Sequence, residues 1–327
     1  MIVAVDAAGG DFFPKNPVEG ALSALADDES LKIILVGPED SIRNELAKHQ
    51  FDSSRVIIQD APEIIGMEES PASAVRNKRN SSIVIGLSLH KAGKCDAFVS
   101  AGNTGALLAA STFILGKLEG VSRPTIASYY PTLKGFRLLV DAGANLEIRP
   151  EMAFQFSKMG QIYCEQILGI EHPKVGLLNV GEEDEKGTDE LKEIHNHLKT
   201  LDGFIGNVEG RDIFSGKADV YITDGLVGNI VLKLGESIPS TIMMLVKAAV
   251  EELDMEVEHI LAAQKILKTA MAPFNYETVG GIPFLGVNGV SIVGHGGSTP
   301  LAVKNMIKGA ISCVQNDING KIVASLN

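Results

Sequence analysis

A glycine-rich turn between two apolar segments is the stretch of this sequence best suited to bind an anion. The apolar run Ala97–Val99 is typical of a buried strand, and the Ala- and Leu-rich run from Ala106 is typical of a buried helix. A strand, a turn and a helix in this order aim several backbone N–H groups at one point, where the helix dipole adds about half a positive charge. The sequence therefore predicts a phosphate site. Its residues are Ser100, Gly102, Asn103, Thr104 and Gly105.

Other glycine turns carry side chains that can bind or activate a substrate. Each follows a short apolar run, and their residues are Asp6, Gly9, Gly10 and Asp11, then Asp141 and Asn145, then Asp224 and Asn229 with Lys233 in the next helix, and lastly His295 and Ser298. The acids can hold a substrate group or cap their own turn. The ordinary pKa of a histidine suits acid–base catalysis, so His295 is the candidate for that role, and a structural hydrogen bond is the alternative.

The elements that position these turns follow an alternating pattern. Apolar runs typical of strands alternate with helical segments from Ile2 to Val314, which predicts a mostly parallel sheet with helices on both faces. Ligands of such sheets bind beyond the carboxyl ends of the strands, where each of these turns lies. We predict a single catalytic α/β domain over residues 1–327. The spacing of apolar residues predicts a helical excursion within it at residues 236–272.

Composition and charge restrict the class of protein. Apolar residues make up 45% of the 327 and charged residues 21%, as in globular proteins. The formal net charge of −12 and the pI of about 5.1 exclude a nucleic-acid binder and nonspecific attraction to an anionic membrane. Arg76, Lys78 and Arg79 form a local basic cluster, which predicts either a solvated helix face or a contact with an acidic partner.

The sequence predicts a soluble protein of the cytoplasm. No residue between Asp96 and Lys117 is charged, but the glycine turn in the first half of this window favours a buried strand, turn and helix over a membrane span. The N-terminal segment lacks the basic region of a signal peptide. The three cysteines show no paired spacing, which fits a reducing compartment.

Several common kinds of site are absent from the sequence. The turn after Ser100 lacks the Gly-Lys-Ser/Thr end of a Walker loop, and the first turn lacks the Gly-x-Gly-x-x-Gly of a dinucleotide site. No Gly-x-Ser-x-Gly elbow occurs. Cys95, Cys164 and Cys313 have apolar neighbours and are interpreted as packed thiols. His195 and His197 are two residues apart and would point to different helix faces, so we expect no metal and no cofactor.

What remains is a site rich in backbone N–H groups and in small hydroxyl and amide side chains. Such a site suits an anionic substrate and an oxyanion-like transition state, for which one preorganised donor is worth about 10²–10³ in rate. Transfer of an acyl group to phosphate fits this inventory because the phosphate oxygen attacks directly and no protein nucleophile is needed.

Motifs spread in order over nearly the whole chain resemble those of the bacterial phosphate acyltransferase family of phospholipid synthesis. They are Val3–Asp11, Ser100–Ala106, Val140–Asn145, Gly176–Gly181, Thr223–Gly225 with Gly228–Asn229, and Leu285–Gly289 with His295–Gly296. The first motif departs from the family, which usually has methionine at the position of Ala8 and histidine at that of Phe12. Because that histidine is absent here, His295 is the remaining histidine in a glycine turn.

The resemblance implies a fold and a reaction. The fold is a Rossmann-like three-layer α/β/α sandwich, similar to phosphate acetyltransferases and isopropylmalate dehydrogenase-like proteins. The reaction is transfer of a long-chain fatty acyl group from acyl carrier protein to inorganic phosphate. The product, acyl phosphate, is then used by a membrane glycerol-3-phosphate acyltransferase on the way to phosphatidic acid. Family members form homodimers, with the excursion at residues 236–272 near the interface and the membrane.

The resemblance also suggests roles for the turn residues. The turn from Ser100 to Gly105 would cradle phosphate, while Asp224, Asn229 and Lys233 would flank the thioester. His295 and Ser298 would lie near the leaving group. Acyl carrier protein is acidic, so it is the expected partner of the basic cluster Arg76, Lys78 and Arg79. The surface around Lys265 and Lys268 is an equally good candidate for this contact.

Two other functions stay open at this point. One is a short-chain phosphate acetyltransferase that uses coenzyme A, and the other is a non-catalytic scaffold that binds phosphate or acyl chains. Peripheral membrane association is a further hypothesis, because Leu253, Met255 and Val257 at the tip of the excursion can dip into lipid although five acids surround them.

Overall fold

The computed structural model describes residues 1–253, 256–274 and 276–326. Strands alternate with helices through most of this length. The strands are β1 Ile2–Asp6, β2 Lys32–Gly37, β3 Val56–Asp60, β4 Ala97–Ser100, β5 Thr125–Thr132, β6 Gly135–Val140, β7 Val175–Leu178, β8 Phe204–Val208, β9 Val220–Ile222, β10 Ile282–Leu285 and β11 Val290–Val293. The helices are α1 Lys15–Asp27, α2 Glu39–Leu46, α3 Pro71–Asn77, α4 Ser82–Lys91, α5 Thr104–Ala110, α6 Pro150–Tyr163, α7 Asp189–Leu198, α8 Gly210–Ser215, α9 Gly225–Glu252, α10 Val257–Met271, α11 Pro300–Gln315 and α12 Ile318–Leu326. Shorter turns of π-helix (Ser111–Leu115, Cys164–Leu168) and 3-10 helix (Ser53–Arg55, Ala272–Phe274, Tyr276–Thr278) complete the elements.

The chain divides into two compact units. The first unit contains Met1–Ala127, Gln155–Glu171 and Tyr276–Asn327, and the second contains Ser128–Phe154 and His172–Asn275. The single catalytic domain over residues 1–327 that the sequence predicts stays a prediction.

The first unit is a mostly parallel sheet, as predicted. Its strands follow the order β3-β2-β1-β4-β11-β10-β5. The run from β3 to β11 is parallel, and β10 is antiparallel to both of its neighbours. A side chain at Gly86 would collide with the buried ring of Phe98, so this glycine lets α4 pack closely on β4. The order places the carboxyl ends of β1, β4 and β11 side by side.

The second unit is a smaller sheet of the same kind. Its strands follow the order β5-β6-β9-β7-β8, and the pairs from β6 to β8 are parallel. Aromatic and aliphatic side chains form its core, namely Tyr130, Leu139, Leu178, Val208, Ile213, Ala218 and Tyr221. The carboxyl ends of β6 and β9 lie side by side in this unit because these two strands pair directly.

The uncharged window between Asp96 and Lys117 is a strand, a turn and a helix, as predicted. All four residues of β4 are buried, α5 begins at Thr104, and the π-helical turn Ser111–Leu115 continues it. The apolar character of this window therefore comes from burial inside the first unit.

Some element boundaries in the sequence analysis were wrong. The helix expected from Ile230 begins at Gly225, because the Asp224 side chain caps it by accepting the N–H of Val227 at 2.8 Å. The excursion predicted at residues 236–272 is helical, and it consists of the later part of α9 followed by α10. Helices α8 and α12 and strand β10 were not predicted.

Helices α9 and α10 expose much apolar surface. Of the described helices, α9 is long and apolar enough to cross a membrane by length and composition, and only 6% of its apolar window, with a mean hydropathy of 1.2, is buried. The exposed apolar side chains on the two helices include Leu234, Met244, Leu245, Leu261 and Ile266. Such a surface on a protein usually marks contact with another protein or with lipid.

Candidate functional site

The predicted site residues fall into both units and form one set of turns in each. In the first unit, three turns follow the adjacent strands β1, β4 and β11. We call Asp6–Asp11, Ser100–Gly105 and Gly294–Thr299 the first turn cluster. In the second unit, Asp141–Asn145 and Asp224–Asn229 follow the paired strands β6 and β9, and we call them the second turn cluster.

The turns of the first cluster touch one another through glycine. The Asp11 N–H donates to the Gly296 carbonyl at 2.8 Å. A Cβ placed on Gly10 would lie 2.9 Å from that same carbonyl oxygen, and one placed on Gly9 would lie 2.9 Å from the Gly102 nitrogen. These positions need glycine because any side chain would push the turns apart.

Two of the predicted polar residues, Asp6 and Ser100, are buried against each other. The Ser100 hydroxyl donates to Asp6 Oδ2 at 2.6 Å, and the Gly102 N–H donates to Ser100 Oγ at 3.0 Å. Burial raises the pKa of the Asp6 carboxyl above its ordinary value, while hydrogen bonds to its oxygens oppose that shift. Both side chains therefore already have hydrogen-bond partners within the protein.

Asn103 serves as the N-cap of α5. Its Oδ1 accepts the Ala106 N–H at 3.0 Å, and its amide nitrogen donates to the carbonyls of Gly66, Met67 and Glu69 at 3.0–3.2 Å. This amide holds the segment before α3 against the turn, and no local pattern in the sequence indicates that long-range contact. Because the Asn103 side chain is engaged in these bonds, a ligand at this turn would have to bind to main-chain groups.

The start of α5 offers such groups. Within the described ranges, the N–H groups of Thr104 and Gly105 have no hydrogen-bond acceptor, as is usual for the first turn of a helix. Thr104 is exposed and Gly105 is partly exposed. A Cβ at Gly105 would lie 2.6 Å from Pro71 Cγ, so this glycine also lets α3 approach α5.

His295 is exposed and its ring is oriented by its own turn. The Gly297 N–H donates to His295 Nδ1 at 3.1 Å, and the Ser298 hydroxyl donates to the His295 carbonyl at 2.6 Å. A backbone N–H can only donate, so Nδ1 carries a lone pair and the neutral ring carries its proton on Nε2. The Asp11 carboxylate borders the same turn, since a Cβ at Gly296 would lie 3.3 Å from Asp11 Oδ1.

The second turn cluster is built around Asp141, which is fully buried. Its carboxylate accepts the N–H groups of Gly143, Ala144 and Asn145 at 2.7–3.2 Å, and also the Asn145 amide at 2.8 Å. A side chain at Gly228 would collide with the Asp141 carbonyl, so α9 lies directly against this turn. Asp141 and Asn145 thus shape the turn.

The remaining predicted residues of the second cluster lie at the start of α9. Asp224 is the N-cap of this helix, whereas Asn229 and Lys233 are exposed. Asn229 borders Gly143, whose added Cβ would lie 3.6 Å from Asn229 Cβ. The Lys233 ammonium lies 2.8 Å from the Glu236 carboxylate one turn further on.

The predicted basic cluster separates into two kinds of residue. Lys78 donates to the Ile64 carbonyl at 2.7 Å and to the Glu69 carboxylate at 2.6 Å, and this ion pair lowers the pKa of Glu69. Arg76 and Arg79 are exposed. Lys78 therefore stabilises the local fold, whereas the two arginines supply exposed positive charge.

The histidines and cysteines set aside in the sequence analysis are structural. His195 is buried, with Nδ1 2.9 Å from Asn207 Oδ1 and Nε2 3.3 Å from an Asp184 oxygen. All three cysteines are free and buried, which confirms their interpretation as packed thiols. Burial raises the pKa of the Cys95 thiol to about 11 and that of the Cys313 thiol to about 12.

One group with metal-ligand spacing was not predicted, because Glu19 of α1 joins Glu45 and His49, which are four residues apart in the α2 segment. Ligand atoms of Glu19, Glu45 and His49 lie within 4.8 Å of one another. The Lys48 ammonium lies 2.7 Å from the Glu45 carboxylate and already supplies a positive charge there.

Turns rich in N–H donors beyond the carboxyl ends of parallel strands define an α/β protein of the Rossmann-like class, in which ligands generally bind at that end of the sheet. The family model described as fatty acid synthesis protein matches residues 1–321. Proteins named phosphate acyltransferase are 46% identical in Chlorobaculum parvum, over 100% of this chain and 99% of that protein, and 44% identical in Halothermothrix orenii, over the same shares. The chain belongs to this family and is an acyltransferase.

Solved structures support the fold. A phosphotransacetylase from Streptococcus pyogenes has a TM-score of 0.61 at 16% identity, covering 97% of this chain and 94% of that chain. A branched-chain phosphotransacylase from Enterococcus faecalis has a TM-score of 0.57 at 13% identity, covering 95% of this chain and 99% of that chain. The Rossmann-like α/β fold that the resemblance implied is confirmed.

Proposed function

We propose that this acyltransferase moves a long-chain fatty acyl group from the thioester of acyl carrier protein to inorganic phosphate, giving acyl phosphate for phospholipid synthesis. The observation that carries the proposal is the identity of 46% over the full chain to a protein named phosphate acyltransferase. The description of the matching family as a fatty acid synthesis protein supports a fatty acyl donor.

The acceptor phosphate would bind at the start of α5. The open N–H groups of Thr104 and Gly105 support this placement, because the first turn of a helix attracts anions through both its donors and its dipole. The side chains of Ser100 and Asn103 shape the turn instead of contacting the ligand.

The reaction needs no protein nucleophile. A phosphate oxygen attacks the thioester carbonyl carbon, a carbon–oxygen bond forms, and the carbonyl oxygen becomes negative. Collapse of this intermediate breaks the carbon–sulfur bond, and the thiolate leaves and takes a proton from solvent. His295 would stabilise the negative oxygen through its Nε2–H, since the Gly297 N–H occupies Nδ1. Ser298 holds the His295 main chain in place.

Acyl carrier protein would dock on the exposed arginines Arg76 and Arg79. Acidic partners are steered by exposed cations, and Arg76 lies in the last turn of α3, which packs against α5 in the same unit, while Arg79 follows that helix. The alternative surface around Lys265 and Lys268 is also exposed, on α10.

The protein would act as a cytoplasmic homodimer that associates peripherally with the membrane. The exposed apolar side chains of α9 and α10 support a partner on that face. Leu253 and Val257, near the junction of the two helices, are about 70% exposed and would be the lipid contacts, while Met255 lies outside the described residues. Membrane association would bring acyl phosphate to a membrane glycerol-3-phosphate acyltransferase.

The test is product formation by the purified protein with inorganic phosphate and either palmitoyl-acyl carrier protein or acetyl-coenzyme A. Acyl phosphate from the carrier-bound donor alone is the expected result. Turnover of acetyl-coenzyme A alone would identify a short-chain phosphate acetyltransferase, and binding of phosphate without turnover of either donor would identify a scaffold. Both of these outcomes contradict the proposal.

A further inference from the structure

Asp6 is a buried carboxylate that the proposed chemistry does not use. It is 2% exposed and lies at the carboxyl end of β1. Besides Ser100, the Ala8 N–H donates to it at 3.0 Å, and the Gly9 N–H and the Ser82 hydroxyl are close enough to help lower its pKa against the effect of burial. A buried charge is tolerated only with such partners, so their number and direction keep this carboxylate in one position. Asp6 thereby joins β1, β4 and the start of α4.

The bond to Ser100 extends the influence of Asp6 into the phosphate-binding turn. A serine hydroxyl has one proton, and here it points to Asp6 Oδ2 at 2.6 Å. The lone pairs of Ser100 Oγ therefore face the other way and accept the Gly102 N–H at 3.0 Å. The peptide plane between Ala101 and Gly102 is fixed as a result.

The turn has little room to adopt another arrangement. A Cβ at Gly102 would lie 3.1 Å from Ser100 Oγ and 3.3 Å from Asp6 Oδ2, and one at Gly9 would lie 2.5 Å from the same Asp6 oxygen. The Asp6 carboxylate thus packs against main chain on both sides. Moving it would displace the residues that lead into α5.

We propose that Asp6 is a positioning residue which, through Ser100 and the Gly102 peptide, sets the direction of the Thr104 and Gly105 N–H groups toward the acceptor phosphate. This inference rests on the proposed function for its ligand. Asp6 touches no substrate in this account, and its effect is on phosphate binding. A shift of about 1 Å in a positioning group can cost up to 10²-fold, so the effect is measurable.

The two hydroxyls that reach Asp6 provide a matched comparison. Ser100 and Ser82 are both buried serines near the Asp6 carboxylate, and Ser100 donates a hydrogen bond to it at 2.6 Å. Ser100 also accepts the Gly102 N–H, whereas Ser82 reaches Asp6 from the start of α4. A second control is Ser291, a buried serine on the neighbouring strand β11 that accepts the Ser111 hydroxyl at 3.0 Å.

The experiment compares Ser100→Ala and Asp6→Asn with Ser82→Ala and Ser291→Ala. Melting temperature, kcat and KM for inorganic phosphate are measured for each protein. We expect Ser100→Ala, Asp6→Asn and Ser291→Ala to lose some stability, because each changes a buried hydrogen bond, and Ser82→Ala removes a buried hydroxyl beside the same carboxylate. We expect KM for phosphate to rise about tenfold or more only in Ser100→Ala and Asp6→Asn. An unchanged KM in those two, or an equal rise in all four, would overturn the inference.

Direct binding separates this inference from the proposed function. The dissociation constant for inorganic phosphate is measured by calorimetry on the same proteins without an acyl donor. If the wild-type protein binds phosphate but forms no acyl phosphate, the proposed function fails, and the same pattern among the dissociation constants still supports the role of Asp6. A wild-type protein that binds no phosphate would overturn the role of Asp6.

Discussion

The two turn clusters share one construction and differ in what they leave exposed. In each, a buried aspartate at the end of a strand, Asp6 or Asp141, accepts N–H groups of the turn that follows. The first cluster leaves main-chain N–H groups open at the start of α5, whereas the second presents the side chains of Asn229 and Lys233 at the start of α9. Polar residues in a glycine turn can therefore stabilise the turn, while the groups open to a ligand belong to neighbouring residues.

The largest expected effect comes from removing the acceptor of the second cluster. Asp141→Ala leaves the N–H groups of Gly143, Ala144 and Asn145 without their carboxylate, so we expect a loss of about 3 kcal/mol or more in unfolding free energy. Urea denaturation measures it. The exposed Asp52, which caps its own turn at Ser54, is the control, and Asp52→Ala should cost about 1 kcal/mol. Equal losses would contradict a scaffold role for Asp141.

In the first cluster, substitutions of His295 test whether its ring acts only by donating a hydrogen bond to the substrate. We expect His295→Ala to lower kcat about 10²-fold, because it removes the Nε2–H that the geometry assigns to the ring. His295→Gln keeps an N–H donor and should recover a measurable part of that loss. Steady-state kinetics on both variants decide the point. If both variants are equally inactive, His295 works as a proton acceptor.

The close contact of α9 with its turn gives a smaller effect. Gly228→Ala places a methyl group against the Asp141 carbonyl, so we expect a loss of about 1–3 kcal/mol in stability. Gly309 in α11 is the matched control, since an added Cβ there meets no atom within 4 Å among the described residues. Gly309→Ala should raise stability by about 1 kcal/mol through helix propensity. A stable Gly228→Ala protein would show that the contact is loose.

Charge reversal tests the arginines beside the first cluster. Arg76→Glu with Arg79→Glu should raise KM for the carrier-bound donor about tenfold at low salt, because both side chains are exposed and acidic partners would be repelled. Lys265→Glu with Lys268→Glu is the comparison on the alternative surface. A KM that changes only in the lysine pair would move the docking site to α10.

The smallest effect concerns His90, a further partly buried group of the first unit. Its Nε2 accepts the Val290 N–H at 3.0 Å, and burial lowers the pKa of its ring below the ordinary value. The unfolded chain then binds the proton more tightly, so stability should fall as the pH drops below about 6.5, by at most about 1.4 kcal/mol per pH unit. His90→Gln should remove this component of the pH dependence. An unchanged slope in denaturant titrations would rule it out.

The sequence was informative where local pattern decides structure. The buried strand Ala97–Ser100 and its turn follow directly from an apolar run broken by glycine, and the mostly parallel sheet follows from alternation. The start of α9 was misjudged because Gly225 and Gly228 look like turn residues. In the structure they are helical, and their lack of a side chain serves close packing against Asp141–Asn145.

The roles of polar side chains depend on partners far along the chain. Lys78 looks like its basic neighbours in sequence, but its partner Glu69 and the Ile64 carbonyl make it a structural residue. Asn103 looks like a ligand group, and its amide is committed to carbonyls of the segment before α3. These hydrogen-bond partners are set by tertiary contacts. The sequence pattern could therefore identify Lys78 and Asn103 as candidate site residues, but it could not show that each of them stabilises the fold.

The most direct test of this account is a phosphate titration followed through backbone amide resonances of protein labelled with ¹⁵N-glycine and ¹⁵N-threonine. The account predicts that the Thr104 and Gly105 amides shift in a saturable way, since their N–H groups are the open donors at the start of α5. Saturable shifts confined to the second cluster, at Gly143 or Gly225, would contradict it.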